Sequence, residues 1–267
     1  EIYNFRIFRA LLLYLRGRAC TIHLKLDTGM HRLGFEQRDI QEVIQLLGQN
    51  PNIRVASIFS HLAGADEQNH DEFSNAQAAL FKNCADNISS ALSNKPLYHI
   101  LNSSGILRLP ALQFDMVRLG IGLYGVDPTQ ENFAGLRPVA SLKTIISQIK
   151  TIPKGDSIGY SRKGMAERDS RIATIAIGYA DGFSRALSKG VGEVSIHGQK
   201  AAIIGNVCMD MTMVDITDIE CEEGDEVIIF GRELPIQRIA NKIHTIPYEI
   251  LTNVSERVKR VFVSDGI

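Results

Sequence analysis

The chain has 267 residues, of which 45% are hydrophobic and 22% charged, and its formal net charge is −1. This balance predicts a soluble globular protein with room for two domains, and it gives no general electrostatic attraction to nucleic acid or to a membrane surface. No apolar run approaches the roughly 20 residues that span a bilayer, and the four cysteines form no CxxC pair, which argues against zinc and disulfide frameworks and favours a reducing cytoplasm.

Helical and strand-like segments alternate in the first half of the chain. Apolar residues recur at helical spacing near residues 3–17, 37–50 and 68–92. Four apolar segments between and after them are typical of strands. This alternation predicts a parallel α/β arrangement. The four segments are "CTIHLKLD", "NIRVASIFSHL", "PLYHILNSS" and "FDMVRLGIGLYG".

Each predicted strand ends in residues that can take part in chemistry. The C-terminal ends of parallel strands meet at one face, and the active sites of (β/α)8 barrels lie at that face. We therefore expect a barrel-type site here. The strand-end residues are Lys25 and Asp27, Ser60 and His61, Asn102 and Ser103, and Arg118 before Gly120.

The pattern changes near residue 135. From residue 140 onward, short strand-like segments alternate with turns such as "IPKGD" and "EEGDEV". We therefore predict a second, mainly β domain over residues 135–267, with short helices near residues 235–244 and 248–254.

The predicted first domain, residues 1–134, is short for a barrel. A (β/α)8 barrel takes about 250 residues, whereas four predicted strands precede the β domain. Four strands alone would leave two open sheet edges. Either the strand count is wrong, or about half of the barrel is missing from the N-terminal side. We therefore predict an α/β plus β fold, the C-terminal half of a (β/α)8 barrel followed by a mainly β domain.

Eight motifs occur in an order that is highly specific in combination. On these motifs the chain resembles the alanine racemases over essentially its whole length. Members of this family use pyridoxal 5'-phosphate to interconvert L- and D-alanine and supply D-alanine for peptidoglycan. The resemblance implies a barrel, a β domain and a head-to-tail homodimer. The motifs are "HLKLDTGMHRLGF", "SHLAGADE", "HILNSSGILRLP", "VRLGIGLYGVDP", "IGYS", "IAIGYADGFSR", "IGNVCMDMTMVDIT" and "PYEILTNVSERVKR".

One family motif has no counterpart in the chain. Alanine racemases carry the cofactor on a Schiff-base lysine in a K-A-[ND]-A-Y-G motif, which the 267 residues do not contain. The resemblance therefore implies the larger part of an alanine racemase, an inactive fragment that cannot attach the cofactor covalently. Lys25 is the rival candidate for the Schiff base because it ends a predicted strand, but the residues around it do not match the motif.

The resemblance assigns the cofactor site to residues of both domains. Arg118 matches the arginine that faces the pyridine nitrogen, and because arginine keeps its proton, that nitrogen stays unprotonated. Gly120 and Ile121 offer backbone N–H groups to the phosphate, and Ser103 and Tyr248 match its hydroxyl ligands. Judged by residue type alone, these positions could equally be a surface arginine in a salt bridge, a turn-capping serine and a packed aromatic residue.

Tyr160 in "SIGYS" matches the catalytic base that removes the α-proton from L-alanine on the pyridoxal-phosphate aldimine. A phenol with an ordinary pKa near 10 needs its anion favoured to act as a base at neutral pH. The family uses a hydrogen-bonded line, here Tyr160, His61 and Arg118, with the tyrosine contributed by the partner subunit. Without the resemblance, a lone tyrosine in a turn is more often structural.

The remaining matches concern the substrate and its access. Arg32 matches the arginine that binds the substrate carboxylate and the phenolic oxygen of the cofactor. Lys25 matches a lysine that is often carbamylated, which makes it an anion able to hold Arg32. Met209 matches a partner-subunit residue whose backbone N–H meets the carboxylate, although it could be plain core. No metal is implied. The entrance-channel matches are Tyr179, Asp66 and Arg185, for which solvated loop residues are the plain alternative.

Two other functions stay open at this point. A serine or broad-specificity amino-acid racemase would use the same chemistry, and the pocket near Tyr179 and Met209 would decide between substrates. A non-catalytic dimerisation module of a larger protein, with the half-barrel as scaffold, is an alternative of a different class. A lysine motif encoded upstream of Glu1 would favour the enzyme.

Overall fold

The computed structural model describes residues 1–129 and 135–263 of the chain. The predicted domain boundary at residue 134 lies outside the described residues. Two compact units make up the structure, a first unit and a second unit. The first unit lies within Glu1–Leu123 and Asp127–Leu136, and the second within Tyr124–Val126 and Arg137–Ile267.

A parallel sheet with helices packed against it makes up the first unit. Its elements are α1 (Phe5–Leu15), β1 (Cys20–Lys25), α2 (Ile40–Gly48), β2 (Ile53–Phe59), α3 (Asp71–Ser90), β3 (Leu97–His99) and α4 (Ser103–Arg108). The strands pair in the order β1–β2–β3. Apolar side chains of β1 and β2, such as Leu24 and Ile58, are buried in one core with Phe8, Val43 and Phe81 of the helices. The predicted α/β alternation is confirmed for the first three strands, whereas the sequence did not predict α4.

A β-bulge in β2 changes which residues face each other across the sheet. Ile22 pairs with Val55, but the next residue of β1, His23, pairs with Ser57, so that Ala56 is the extra residue. Bulges re-aim side chains and are frequent beside active sites. Beyond this bulge, Ser57 stands opposite His23 on the polar face of the sheet.

The fourth predicted strand, "FDMVRLGIGLYG", is wrong. The segment runs beside β3 and donates the N–H of Arg118 to the carbonyl oxygen of Leu101 at 3.0 Å. Phe114 has a positive φ of 48°, a value that an extended strand does not adopt. The glycine N–H groups that follow bond to a side chain rather than to a neighbouring strand. Among the described residues, the first unit therefore has three strands and a short 3-10 turn at Ile121–Tyr124.

An antiparallel six-stranded sheet and a two-stranded hairpin make up most of the second unit. Its elements are β4 (Leu142–Ile152), β5 (Ser157–Ile158), β6 (Gly164–Met165), β7 (Ser170–Ile175), β8 (Glu193–Ile196), β9 (Gln199–Ala202), β10 (Thr212–Asp215), β11 (Glu226–Phe230), α5 (Ile236–Lys242) and α6 (Pro247–Thr252). The large sheet has the order β10–β7–β4–β11–β8–β9, and β5 pairs with β6. The predicted β character and both predicted C-terminal helices are confirmed. No helix in the described part of the chain is long and apolar enough to cross a membrane.

Candidate functional site

Arg118 is the centre of a polar cluster at the C-terminal ends of β2 and β3. Its Nη1 donates to Nδ1 of His99 at 2.6 Å, and its Nη2 donates to the carbonyl oxygen of Ser60 at 2.7 Å. The same Nη2 lies 3.2 Å from Nδ1 of His61 and 3.2 Å from the carbonyl oxygen of Ile100. The carbonyl oxygen of His99 also accepts from Nη1, at 3.4 Å. Two imidazole rings and three main-chain carbonyls thus surround one guanidinium group.

The direction of these bonds fixes the protonation of both imidazole rings. A guanidinium group donates and cannot accept, so Nδ1 accepts in His61 and His99 and their protons lie on Nε2. Burial, and then the positive charge of Arg118, lowers the pKa of each ring to about 4. Both rings are therefore neutral at pH 7. Burial also lowers the pKa of Arg118, but a guanidinium starts so far above neutrality that it stays charged.

The ring of Phe59 supports the cluster from one side. It stacks on His99 with ring centroids 4.8 Å apart and an interplanar angle of 6°. The guanidinium carbon of Arg118 lies 5.2 Å from the same centroid, and Nζ of Lys25 lies 5.6 Å from it. Each such cation–π contact contributes roughly 0.5–1 kcal/mol at an exposed site and more where water is excluded. Phe59 therefore helps to hold two cations at the strand ends.

The loop after β1 is organised by Asp27 and carries Arg32. Oδ1 of Asp27 accepts from the N–H groups of Gly29, Met30 and His31 at 2.9, 3.1 and 3.0 Å. Burial raises the pKa of Asp27, but the backbone N–H donors outweigh it, so that the pKa is lowered and the carboxylate stays charged. Arg32 is exposed on this rigid loop, as a residue that meets a ligand must be.

Lys25 lies at the end of β1, where its Nζ forms an ion pair with Oε1 of Glu1 at 3.1 Å. Lys25 and Arg32 both lower the pKa of His61 through their positive charge, which places the two cations within electrostatic reach of that ring. The contact by which a carbamylated Lys25 would hold Arg32 stays a prediction.

Ser103 joins the glycine-rich segment to the start of α4. Its buried Oγ accepts from the N–H of Gly120 at 2.9 Å and from the N–H of Gly122 at 3.3 Å. Two of the predicted residues, Ser103 and Gly120, are therefore in direct contact. Ile121 lies between the two glycines and is buried. The sequence analysis did not identify Gly122, although it repeats the glycine spacing of this segment.

Tyr160 lies in the second unit, in the turn between β5 and β6. Its side chain is 71% exposed. The turn is fixed by unusual backbone angles, because φ is 75° at Gly159, 56° at Ser161 and 52° at Arg162. Asn206 donates to the carbonyl oxygen of Tyr160 at 3.2 Å. The hairpin thus presents an aromatic ring outward from a constrained turn.

Tyr179 and Met209 lie on two turns of the second unit that contact each other. The N–H of Tyr179 donates to the carbonyl oxygen of Cys208 at 2.9 Å, and the N–H of Ala180 donates to that of Met209 at 3.0 Å. A Cβ added at Gly178 would lie 2.3 Å from the carbonyl oxygen of Met209, so only glycine permits this approach.

Arg257 joins these two turns. Its Nε donates to Oδ1 of Asp181 at 2.7 Å and its Nη2 to Oδ1 of Asp210 at 2.6 Å. These hydrogen bonds raise the pKa of Arg257 above its ordinary value. Two residues after the turn at Asn253, the N–H of Ser255 also donates to the carbonyl oxygen of Asp181 at 3.0 Å. The arginine therefore ties the Tyr179 turn, the Met209 turn and the C-terminal segment together.

The other predicted residues are exposed at separate places. Asp66 follows β2 in the first unit, whereas Arg185 and Tyr248 belong to the second unit. Over residues 1–129 and 135–263, no group of three or more histidine, cysteine, aspartate or glutamate side chains could hold a metal ion.

Sequence reasoning missed several residues that the structure brings into or beside the predicted site. His23 stands two positions before Lys25 and His99 three positions before Asn102, and histidines near strand ends were the available signal. Ser57 and Arg257 gave no signal in the sequence. The position of Ser57 depends on a β-bulge, and the role of Arg257 depends on contacts with residues distant in the chain. The missed residues are His23, Ser57, His99, Gly122 and Arg257.

Two family models match the chain. The one described as "Alanine racemase, N-terminal domain" matches residues 2–128, and the one described as "Alanine racemase, C-terminal domain" matches residues 139–262. Alanine racemase 2 of Caldanaerobacter subterraneus is 40% identical over 259 residues, which make up 94% of this chain and 66% of that protein.

Solved alanine racemase structures are similar to the chain. The biosynthetic enzyme of Pseudomonas aeruginosa is 33% identical with a TM-score of 0.89, over 98% of this chain and 72% of that one. The enzyme of Bartonella henselae, solved with covalently bound pyridoxal phosphate, is 33% identical with a TM-score of 0.85, over 97% of this chain and 70% of that one. The chain spans about two thirds of the length of the curated relatives that it matches.

Replacement of the buried His99 should make stability less dependent on pH. The unfolded chain takes up a proton on this ring near pH 6.5, whereas the folded protein takes it up at about 4. Stability from the neutral ring is therefore present above about pH 6.5 and is lost as the pH falls towards 4, by up to about 3 kcal/mol. Urea unfolding at about pH 7 and about pH 4.5 measures this loss. His99→Asn should show a smaller loss than the wild type, and the exposed His70→Asn should show the wild-type loss. An unchanged loss in His99→Asn would contradict the assignment.

Loss of the Arg257 side chain should loosen the two turns that it joins. In Arg257→Gln, we expect faster amide hydrogen exchange at Ala180 and Ser255, whose N–H groups bond across the joined segments. Arg168→Gln is the matched control, since Arg168 forms an exposed pair with Asp218 in the same unit. Equal exchange rates in the wild type and Arg257→Gln would show that the ion pairs do not hold the turns.

Proposed function

The chain belongs to the alanine racemase family, and from this premise we propose that its protein interconverts L- and D-alanine with pyridoxal 5'-phosphate, supplying D-alanine for peptidoglycan. The observation that carries the proposal is the Arg118 cluster, in which a partly buried cation is held by two neutral imidazoles and by main-chain carbonyls. The reaction and the cofactor are those named for the relatives.

We propose further that the Schiff-base lysine lies outside this chain. The chain spans 66% of the length of the first two relatives, and its 267 residues contain no K-A-[ND]-A-Y-G motif. The parallel sheet of the first unit has three strands in its described part, whereas a complete barrel has eight. On this proposal the chain supplies part of the barrel and a β domain, and it is inactive alone.

The residues of the first unit fit the cofactor. Oγ of Ser103 accepts from the N–H groups of Gly120 and Gly122, so its own O–H would be the donor that it offers to a phosphate oxygen. Arg118 supplies a cationic donor for a ring nitrogen, and its other donors are occupied by fixed acceptors. Ile121 lies within the same segment, and Tyr248 of the second unit is the proposed additional phosphate ligand.

Arg118 would control how strongly the bound cofactor withdraws electrons. When bound, the cofactor supplies an electron sink that acidifies the α-carbon of alanine. A guanidinium group holds a hydrogen bond to the ring nitrogen without releasing its proton, which leaves that nitrogen unprotonated. A cofactor with an unprotonated ring nitrogen withdraws electrons less strongly than a protonated one, and this favours return of the α-proton over side reactions. The neutral state of His61 and His99 supports this role, because neither ring competes with Arg118 as a cation.

His61 connects this cation to the proposed base, Tyr160. Since Nδ1 of His61 accepts from Arg118, its Nε2–H is the donor that it offers to a tyrosine. A donor at the phenolic oxygen favours the deprotonated form, which then accepts the α-proton of L-alanine. A second acid–base group, assigned in the family to the missing lysine, returns a proton on the opposite face.

The substrate is proposed to meet residues from both units. Arg32 binds the carboxylate from its rigid loop, and the backbone N–H of Met209 donates to the same group. Carbamylation of Lys25 would give Arg32 an anionic partner in place of the cation that Lys25 now presents. Tyr179, Asp66 and Arg185 are proposed to line the entrance, which agrees with their exposure.

A head-to-tail homodimer is the proposed assembly, with Tyr160 and Met209 acting in the site of the partner. Three large side chains of the second unit are exposed, namely Tyr160 at 71%, Met209 at 54% and Met165 at 49%. Exposed apolar side chains are typical of a surface that a partner subunit covers. All four cysteines are free thiols, in keeping with the proposed cytoplasmic location. The relatives named above are all alanine racemases, so no comparison favours a serine racemase or a non-catalytic module.

Ser103→Ala should weaken binding of pyridoxal 5'-phosphate to the chain. A hydrogen bond to a charged group contributes roughly 1.5–3 kcal/mol, so the dissociation constant should rise about tenfold or more. Phosphorus NMR titration measures it. Ser104→Ala is the matched control, because this neighbouring serine is also buried. If both variants bind as the wild type does, Ser103 is not a phosphate ligand.

Borohydride trapping locates any Schiff base. After reduction of the chain with one equivalent of pyridoxal 5'-phosphate, mass spectrometry of peptides should find no lysine, Lys25 included, that carries the cofactor stoichiometrically, and the unreduced chain with cofactor should not racemise alanine. A longer protein that carries the K-A-[ND]-A-Y-G motif should racemise alanine before reduction, and reduction should give one stoichiometric adduct on its motif lysine and abolish that activity. An adduct on Lys25 together with racemisation by the 267-residue chain would overturn the proposal that the lysine lies elsewhere.

A further inference from the structure

A line of hydrogen bonds leads away from Arg118 along the polar face of the sheet. Nη1 of Arg118 lies 2.6 Å from Nδ1 of His99, and Nε2 of the same ring lies 3.1 Å from Oγ of Ser57. Oγ of Ser57 lies 2.7 Å from Nδ1 of His23. One side chain from each of the three strands thus continues the line from Arg118.

The line has only one consistent direction. Because Arg118 must donate, Nδ1 of His99 accepts and the ring proton lies on Nε2, from which it is donated to Ser57. The hydroxyl of Ser57 is fully buried, and its two hydrogen-bond partners are imidazole rings. Ser57 Oγ already accepts from Nε2–H of His99, so the hydroxyl hydrogen of Ser57 is donated to Nδ1 of His23. The ring proton of His23 therefore lies on Nε2.

The bulge in β2 makes this line possible. His23 pairs with Ser57 because Ala56 is the extra residue. In an unbroken register, the residue after Ile22 would pair with Ala56, whose methyl group offers no hydrogen bond. A bulge disrupts the ladder locally, and here it delivers a buried hydroxyl to the point between two imidazole rings.

We propose that Ser57 and His23 are positioning residues that hold His99 in its Nε2–H form and thereby fix the direction of the Arg118 guanidinium. Without the Ser57 hydroxyl, the Nε2–H of His99 would be buried with no acceptor, which is unfavourable. The ring would relieve that cost by turning or by moving its proton to Nδ1, and either change removes its acceptor from Arg118. Any effect of these positioning residues on catalysis rests on the proposed function, whereas the hydrogen-bond line itself does not.

Nitrogen NMR of the 267-residue chain without cofactor tests the proposal. In the wild type, the imidazole nitrogen spectra of His23 and His99 should both show a proton on Nε2 and none on Nδ1. The Nη hydrogens of Arg118 should give separate, slowly exchanging signals, as a guanidinium held in one orientation does. In Ser57→Ala, His23 should lose its single form, and exchange of the Arg118 Nη hydrogens should accelerate at least about tenfold.

Two further variants separate positioning from general stability. Ser57→Thr keeps the hydroxyl and should retain the wild-type signals. Ser60→Ala removes the other buried serine near the end of β2, which bonds to Thr28 and to the carbonyl oxygen of Leu26 outside the line, and should leave both histidines and Arg118 unchanged.

A proton on Nδ1 of His23 or of His99 in the wild type would overturn the proposal, even if Ser57→Ala does not fold. Unchanged Arg118 exchange in a folded Ser57→Ala, or an equal change in Ser60→Ala, would also overturn it. None of these readouts requires cofactor, so a chain that fails to bind pyridoxal phosphate would count against the proposed function and not against the hydrogen-bond line.

Discussion

A guanidinium group donates hydrogen bonds and accepts none, and the candidate site depends on that constraint. Arg118 meets Nδ1 of two histidines and the carbonyl oxygens that follow β2 and β3. Each imidazole must therefore be neutral and protonated on Nε2, and burial, followed by the positive charge of Arg118, lowers the pKa of both rings. One residue thus sets the charge of the cluster and the tautomers of its neighbours, and it leaves Nε2–H as the donor of His61.

The scaffold delivers these groups through backbone features as well as residue types. A bulge at Ala56 brings Ser57 opposite His23, and three N–H groups on Asp27 hold the loop that carries Arg32. In the second unit, Arg257 has a different task, because it pairs with two carboxylates and joins the turns of Tyr179 and Met209. The partly buried Arg118, among neutral acceptors, fixes the protonation of its neighbours, whereas the exposed Arg257, between carboxylates, fixes the position of two turns.

Much of this arrangement could be predicted from the sequence. Hydrophobic periodicity located the first three strands, their helices and the β-rich second half. The strand-end pattern located Ser60 and His61, which contact Arg118, and Ser103, which contacts Gly120. The segment "FDMVRLGIGLYG" was wrongly predicted to be a strand, because its apolar residues alternate with glycine as residues of a strand alternate between two faces. Its glycine N–H groups bond to Ser103 instead of a strand.

The contributions of Ser57 and Arg257 could not be predicted, because residues distant in the sequence or a single inserted residue determine their contacts. A single inserted residue in β2 decides whether Ser57 meets His23, and no feature of "VASIF" marks the insertion. Arg257 lies 76 residues from Asp181 along the chain and 47 from Asp210, so sequence spacing gives no indication of the contact. The roles taken from the family, from Tyr160 as base to Lys25 as a carbamylated residue, stay proposals that chemistry must test.

Neutron diffraction from deuterated crystals of the chain tests the central claim most directly, because it locates the hydrogen nuclei around Arg118. The account predicts a fully protonated guanidinium group, with deuterium on Nε2 and none on Nδ1 in both His61 and His99 near neutral pH. Deuterium on Nδ1 of either ring would mean that the ring does not accept from Arg118, and it would contradict the account.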